Sequence, residues 1–189
     1  MLYKPFKTSQ DFESLIHMGE TPEGIHWDYK QSLNPKEPAD IAIDLAAFAN
    51  TYGGTLLIGI AEKKENGLRV ASGFVPNIDT EEIKKQVFTH ILDLISPKID
   101  VQIAQFNVSN NVVAAINVEP SVNLISVRSK KDPHAYSFPC RTEYGNRCMS
   151  FEEVEKRMIE NKTRTMYLKL KKYFPLDEKV NIYPAPIAN

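Results

Sequence analysis

The sequence predicts an α+β fold, a mixed and largely antiparallel sheet packed with helices. Three observations predict it. Helix-like and strand-like periodicities alternate in the order αβαβαβββα, which suits a sheet with helices laid on it, as an α+β or α/β sandwich. A short hairpin signal at Asn110-Asn111 makes antiparallel pairing the expectation in the second half. Between the halves, Gly53-Gly54 joins an apolar helix to an apolar strand through a very tight corner.

Each element has its own justification. Phe12, Leu15 and Ile16 stand at helical spacing over 9–18, with Ser9 as the expected cap and Gly19 as the stop. Residues 25–31 alternate: Ile25, Trp27 and Tyr29 on one face, His26, Asp28 and Lys30 on the other. Pro35 and Pro38 stand at the entry to the next helix, where a missing N–H costs little. That helix carries Ile41, Leu45 and Phe48, with Ala42, Ala46 and Ala49 allowing a close approach to a sheet. A strand over 55–61 and a polar loop from Glu62 to Gly67 follow.

Asp79 and Glu82 open a helix whose stripe is Ile83, Val87, Ile91, Leu94 and Ile95, ended by Pro97. Strands are expected over 99–108, 112–119, 124–128 and 135–142. Ser150-Phe151-Glu152-Glu153 is a capping box for a last helix. The whole reads as one domain over 1–174 with an extended tail over 175–189 that contains Pro184 and Pro186.

Hydrophobic residues make up 42% and charged residues 25%, which fits a soluble globular chain. No apolar run approaches a membrane span, and Met1–Lys7 lacks the apolar core of a secretory signal. A cytoplasmic protein with no membrane partner is therefore the expectation, with Cys140 and Cys148 as reduced thiols. The formal net charge of −1 excludes a globally basic nucleic-acid coat, so any such partner must meet a local patch. The last helix supplies one, including Lys169, Lys171 and Lys172. A smaller cluster is Arg128, Lys130 and Lys131.

The corner Ala47-Phe48-Ala49-Asn50-Thr51-Tyr52-Gly53-Gly54 is the most specific segment. Asn50 tolerates a left-handed backbone, and paired glycines leave backbone N–H groups accessible to a phosphate. Upstream stands Glu23-Gly24-Ile25-His26-Trp27-Asp28-Tyr29-Lys30, and Glu62 follows the Ile58-Gly59-Ile60 strand. In this order, these segments resemble the Schlafen AlbA-type domain. The resemblance continues through Phe138-Pro139-Cys140-Arg141 and Met149–Val154, and covers roughly residues 12–160.

Chemistry centres on three carboxylates. If strands 25–31 and 55–61 are neighbours, Glu23, Asp28 and Glu62 converge at one sheet edge. Clustered carboxylates bind hard cations such as Mg²⁺ or Mn²⁺, which assist phosphodiester cleavage. The resemblance implies the same residues: Schlafen ribonucleases use three carboxylates on structured RNA such as tRNA, and Glu23, Asp28 and Glu62 fall on those places. Three departures mark this chain: Asp28 is shorter than the usual Glu, Glu62 is longer than the usual Asp, and Ala61 replaces a further acid. Lys30, Arg141, Asn50, Gly53 and Gly54 are the candidate phosphate contacts.

Zinc is not expected, since His134, Cys140 and Cys148 match no compact ligand motif. ATP binding has no independent support, because no Walker A pattern follows Gly53-Gly54. The leading expectation is a nucleic-acid-binding domain, with RNA favoured over DNA. The alternatives are a metal-dependent endoribonuclease and a nucleotide-binding or interaction module. Because larger Schlafens clasp RNA between two related lobes and this chain resembles one, the resemblance implies a homodimer.

Overall fold

The computed structural model describes residues 3–129, 132 and 134–173, with only the backbone at 167 and 169–173. The chain begins with α1 (Ser9–Leu15), β1 (Trp27–Lys30), α2 (Pro38–Ala49) and β2 (Gly54–Ile58). Thr8 caps α1, not Ser9: its side chain and that of Asp11 satisfy each other's backbone N–H groups. Strand β1 lies parallel to β2, with Trp27 opposite Thr55 and Lys30 opposite Ile58.

A helix with no side-chain cap, α2 starts on Pro38 and buries Ile41, Leu45 and Phe48 against the sheet. Beyond β2 the chain forms a hairpin, β3 (Ile60–Glu65) and β4 (Leu68–Phe74), where the charge pattern predicts a loop. Asn66 and Gly67 at its tip both take positive φ, 50° and 85°, as a tight two-residue turn needs. Lys63, Lys64 and Glu65 are exposed, so β3 shows no apolar alternation to betray it.

Asp79 caps α3 (Thr80–Gln86), as expected. The helix then widens into a π turn over Val87–Ile91 and tightens over Leu92–Leu94, ending in the short β5 (Ile95–Ser96). Thr89 donates its hydroxyl to the Lys85 carbonyl at the widened turn, a back-bond that bends helices. The change keeps Val87, Ile91 and Ile95 in one apolar cluster.

The hairpin of β6 (Val101–Val108) and β7 (Asn111–Val118) follows, turning on Ser109 and Asn110. Three short strands come next: β8 (Ser126–Arg128), β9 (Tyr136–Ser137) and β10 (Pro139–Thr142). The strand expected over 135–142 is thus split in two, and β11 (Gly145–Cys148) adds a hairpin partner for β10. The last helix, α4 (Phe151–Tyr173), opens on the Ser150–Glu153 capping box.

The central sheet has the order β1-β2-β7-β6, parallel at β1–β2 and antiparallel elsewhere. Together with the antiparallel hairpins this is the α+β class. Both faces of the sheet are buried. One packs Leu56, Ile58, Ile116 and Val118 against α2 and the α3 segment; the other packs Leu57, Tyr29 and Ala115 against Phe6, Phe12 and Ile60. That explains why β2 is apolar at nearly every position. Among the described residues no helix is long and apolar enough to cross a membrane. The tail over 175–189 lies outside the described residues.

Candidate metal centre

Three segments, far apart in sequence, bring the acids together. Glu23 follows an isolated bridge between Pro22 and Val70, and its N–H donates to the Arg69 carbonyl at 2.8 Å. The Gly24 N–H then donates to the Trp27 carbonyl, a tight return that delivers Asp28 on β1. Gly59, at φ 97°, turns the chain from β2 into β3, and its N–H donates to the Lys30 carbonyl. An added Cβ there would stand 2.9 Å from Ile78 and 3.0 Å from the Val112 carbonyl. The pairing of β3 with β4 shifts between Ala61 and Glu62, and such a bulge re-aims the side chain that follows it.

The outcome is a cluster in which one oxygen each of Glu23, Asp28 and Glu62 lies within 4.8 Å of the others. The convergence at a sheet edge has the expected geometric basis, since β1 and β2 are neighbours.

Charge organises the cluster. Asp28 is buried and accepts from Arg141 Nη1 at 2.8 Å and from Lys30 Nζ at 3.3 Å. Burial alone would raise its pKa, but the hydrogen bond with Glu23 and the charges of Lys30 and Arg141 hold it down, at about 2. Glu23 moves the other way: burial first, then Asp28 and Glu62, push it up to about 9. At neutral pH Glu23 therefore holds the proton and donates it to the Asp28 carboxylate.

Glu62 completes the picture. Its Oε1 accepts from Arg69 Nη1 at 2.8 Å. Its Oε2 is buried with no amide, hydroxyl or cationic donor among the described residues. A buried carboxylate oxygen without a donor is costly and marks a place where a cation or proton belongs. All three residues offer hard oxygen, which fits Mg²⁺ or Mn²⁺ held by Glu23, Asp28 and Glu62 once Glu23 gives up its proton.

The proposed phosphate contacts divide sharply. Lys30 is partly exposed, between Asp28 and Asp44 Oδ2 at 3.5 Å. Arg141 is buried and held by protein groups: Nε donates to the Gly24 carbonyl, Nη2 to the Trp27 carbonyl, and Nη1 to Asp28 and Asn146. Asn50 donates to the Ile125 and Pro139 carbonyls and accepts from the Ile125 N–H. Gly53 takes φ 75°, and a Cβ there would lie 2.9 Å from the Val118 carbonyl. At Gly54 it would lie 2.1 Å from the Phe48 ring. The glycine corner is thus shaped by packing, not by an open N–H cradle. Lys169, Lys171 and Lys172 have side chains outside the described residues, as do Lys130 and Lys131.

Sequence reasoning misses Asp44 and Asn146. Asp44 is buried on α2, accepts from Asn146 Nδ2 at 2.6 Å, and is pushed up by burial to about 6 despite the opposing charge of Lys30. The available signal was a lone acid inside the apolar run Ile41–Ala49.

The architecture has a likeness among solved structures. The DIP2311 protein from Corynebacterium diphtheriae is similar at a TM-score of 0.50 and 16% identity, over 80% of this chain and 32% of its own. The N-terminal domain of a RecG-related protein from Nitrosomonas europaea is similar at a TM-score of 0.48 and 13% identity, over 75% of this chain and 90% of its own. At such identities the first likeness concerns the fold alone, and this chain spans about a third of that protein. No curated protein matches. The family model described as Schlafen, AlbA_2 matches residues 23–150, from the first acid of the cluster to the cap of α4. This chain belongs to the Schlafen AlbA_2 family.

Proposed function

We propose that this chain binds RNA and cleaves its phosphodiester backbone at a divalent-cation site formed by Glu23, Asp28 and Glu62. The observation that carries the reading is the convergence of three carboxyl oxygens within 4.8 Å, one of the three acids having a buried oxygen with no amide, hydroxyl or cationic donor among the described residues. When bound, a divalent cation supplies Lewis-acid stabilisation of charge developing on the phosphate. Asp28 provides the fixed anion, held in place by Arg141, which also ties down the Gly24 and Trp27 carbonyls. Lys30 has exposed surface beside Asp28 and can donate to a phosphate oxygen. The preference for RNA rests on the resemblance to Schlafen ribonucleases.

A second reading, RNA binding without cleavage, draws on the charge balance. With Glu23 protonated, Asp28 and Glu62 are already matched by Lys30, Arg141 and Arg69. Incubation of the purified chain with a structured RNA such as tRNA, with and without Mn²⁺, separates the two. Cleavage that needs Mn²⁺ and is lost in Glu62→Gln is the expected result. Retention without cleavage leaves the binding reading, and failure to retain RNA at low salt rejects both.

A further inference from the structure

Helix α4 carries a stripe that nothing among the described residues covers. Its inner side meets the body through Arg157, which donates to the Asn50 and Ser121 carbonyls, and its start is fixed by the two-pronged pair of Arg147 with Glu153. Val154 and Asn161 are half-buried on that side. On the outer side Phe151 is 77% exposed, Met158 50%, Ile159 50% and Met166 64%. These four fall within about 100° of one another around a 3.6-residue helix. Glu155 and Lys162 lie in the same arc, both exposed, and neither has an ion-pair partner among the described residues.

The order along the stripe is apolar, acid, apolar, apolar, base, apolar. It is complementary to itself when reversed. Laid antiparallel about a two-fold axis, Phe151 meets Met166, Glu155 meets Lys162, and Met158 meets Ile159, with every pair repeated by symmetry. A parallel arrangement would put Glu155 beside Glu155 and Lys162 beside Lys162. The wider charge pattern favours the same direction: acids Glu152, Glu153, Glu155 and Glu160 concentrate in the first half, whereas Lys162 and Arg164 open an acid-free second half.

We infer that the occupant of this face is a second copy of the chain, docked through an antiparallel α4–α4 pair. The apolar contacts supply the association and the Glu155–Lys162 pairs fix its direction. This inference is independent of RNA cleavage and of any cation.

Sedimentation of the full chain at micromolar concentration is the test. The wild-type chain is expected at twice its 21.5 kDa mass. Glu155→Lys places bases against bases, and Lys162→Glu places acids against acids; each should weaken association roughly tenfold or more. Mixing the two variants should restore a dimer, because the unlike copies are complementary in both pairs. Met158→Glu should give a monomer with unchanged helical circular dichroism. A monomeric wild-type chain, or two charge variants that stay monomeric when mixed, overturns the proposal. Restoration on mixing shows that both variants are folded, and unchanged helical circular dichroism of each variant alone makes a failure to restore equally decisive.

Discussion

The acid cluster and the glycine corner flank the same strand, β2, and they solve opposite problems. In the corner the buried Asn50 side chain and the Gly53 N–H are spent internally. Asn50 uses both its donor and acceptor on backbone groups, and the Gly53 N–H donates to the Phe48 carbonyl. The glycines are required because Cβ atoms would enter the Phe48 ring or the Val118 carbonyl. In the cluster, polar groups exceed their partners: three carboxyls share few donors, and one buried oxygen has no amide, hydroxyl or cationic donor among the described residues. A strict motif therefore need not mark a ligand. Strictness at the corner reflects close packing, whereas unmet valence at the cluster marks chemistry.

The largest effects are expected where the two regions are tied together, at Arg141. Its guanidinium stands over the Phe48 ring at 5.1 Å and pairs with Asp28, with side-chain exposures of 2% and 5%. Removing Arg141 leaves the buried Asp28 with Lys30 as its one cation among the described residues, and neutralising Asp28 leaves the buried guanidinium without a charge partner. Arg141→Ala and Asp28→Asn should each cost about 3–5 kcal/mol in urea denaturation, and the double variant clearly less than their sum. Additive losses would break the link between corner and cluster.

Gly54→Ala comes next. The added methyl at 2.1 Å from Phe48 cannot be absorbed by a side-chain tip, because the ring is itself packed beneath Arg141. A loss of about 1–3 kcal/mol is expected, with RNA retention unchanged in whatever fraction stays folded. A stable Gly54→Ala chain that no longer retains RNA would return the corner to the list of ligand contacts.

Much of this was legible in the sequence, for identifiable reasons. The elements with strong periodicity, α2, β2, β6 and β7, follow from Ile41-Leu45-Phe48 and from the apolar runs about Leu56 and Ala115. The three acids are legible because the strand bearing Asp28 and the strand preceding Glu62 are neighbours. What the sequence hid is what local pattern does not encode. Hairpin β3–β4 has too few apolar residues to show alternation, although Asn66-Gly67 is a recognised turn pair. The roles of Arg141 and Asn50 depend on contacts more than 70 residues distant, so charge and residue type alone suggested ligand binding where the fold uses them as braces.

Glu62→Gln sharpens the comparison from the other side. Its carboxyl is partly exposed at the hairpin base and pairs with the exposed Arg69. The expected stability change is under about 1 kcal/mol. Binding of Mn²⁺, followed by calorimetry, should nonetheless fall by at least about tenfold, because an amide is a weaker ligand for a hard cation. A change confined to stability would remove Glu62 from the cation site.

A pH dependence whose sign is set by the cluster completes the comparison. Glu23 rises from its ordinary 4.5 to about 9 in the folded chain, so between those values the folded state holds a proton that the unfolded state has released. Stability must therefore fall as pH rises across that window. Asp44, raised from 3.8 to about 6, acts in the same direction over the lower part of it. Asp28, lowered from 3.8 to about 2, acts oppositely and only below pH 4, where acid removes the stability it provides. Thermal denaturation should thus show a melting temperature declining from about pH 5 to pH 9, and Glu23→Gln should flatten that decline. Mn²⁺ should bind more tightly as pH rises, because it displaces the Glu23 proton, and should offset the decline in the wild-type chain alone. A decline that persists unchanged in Glu23→Gln would place its origin outside the cluster.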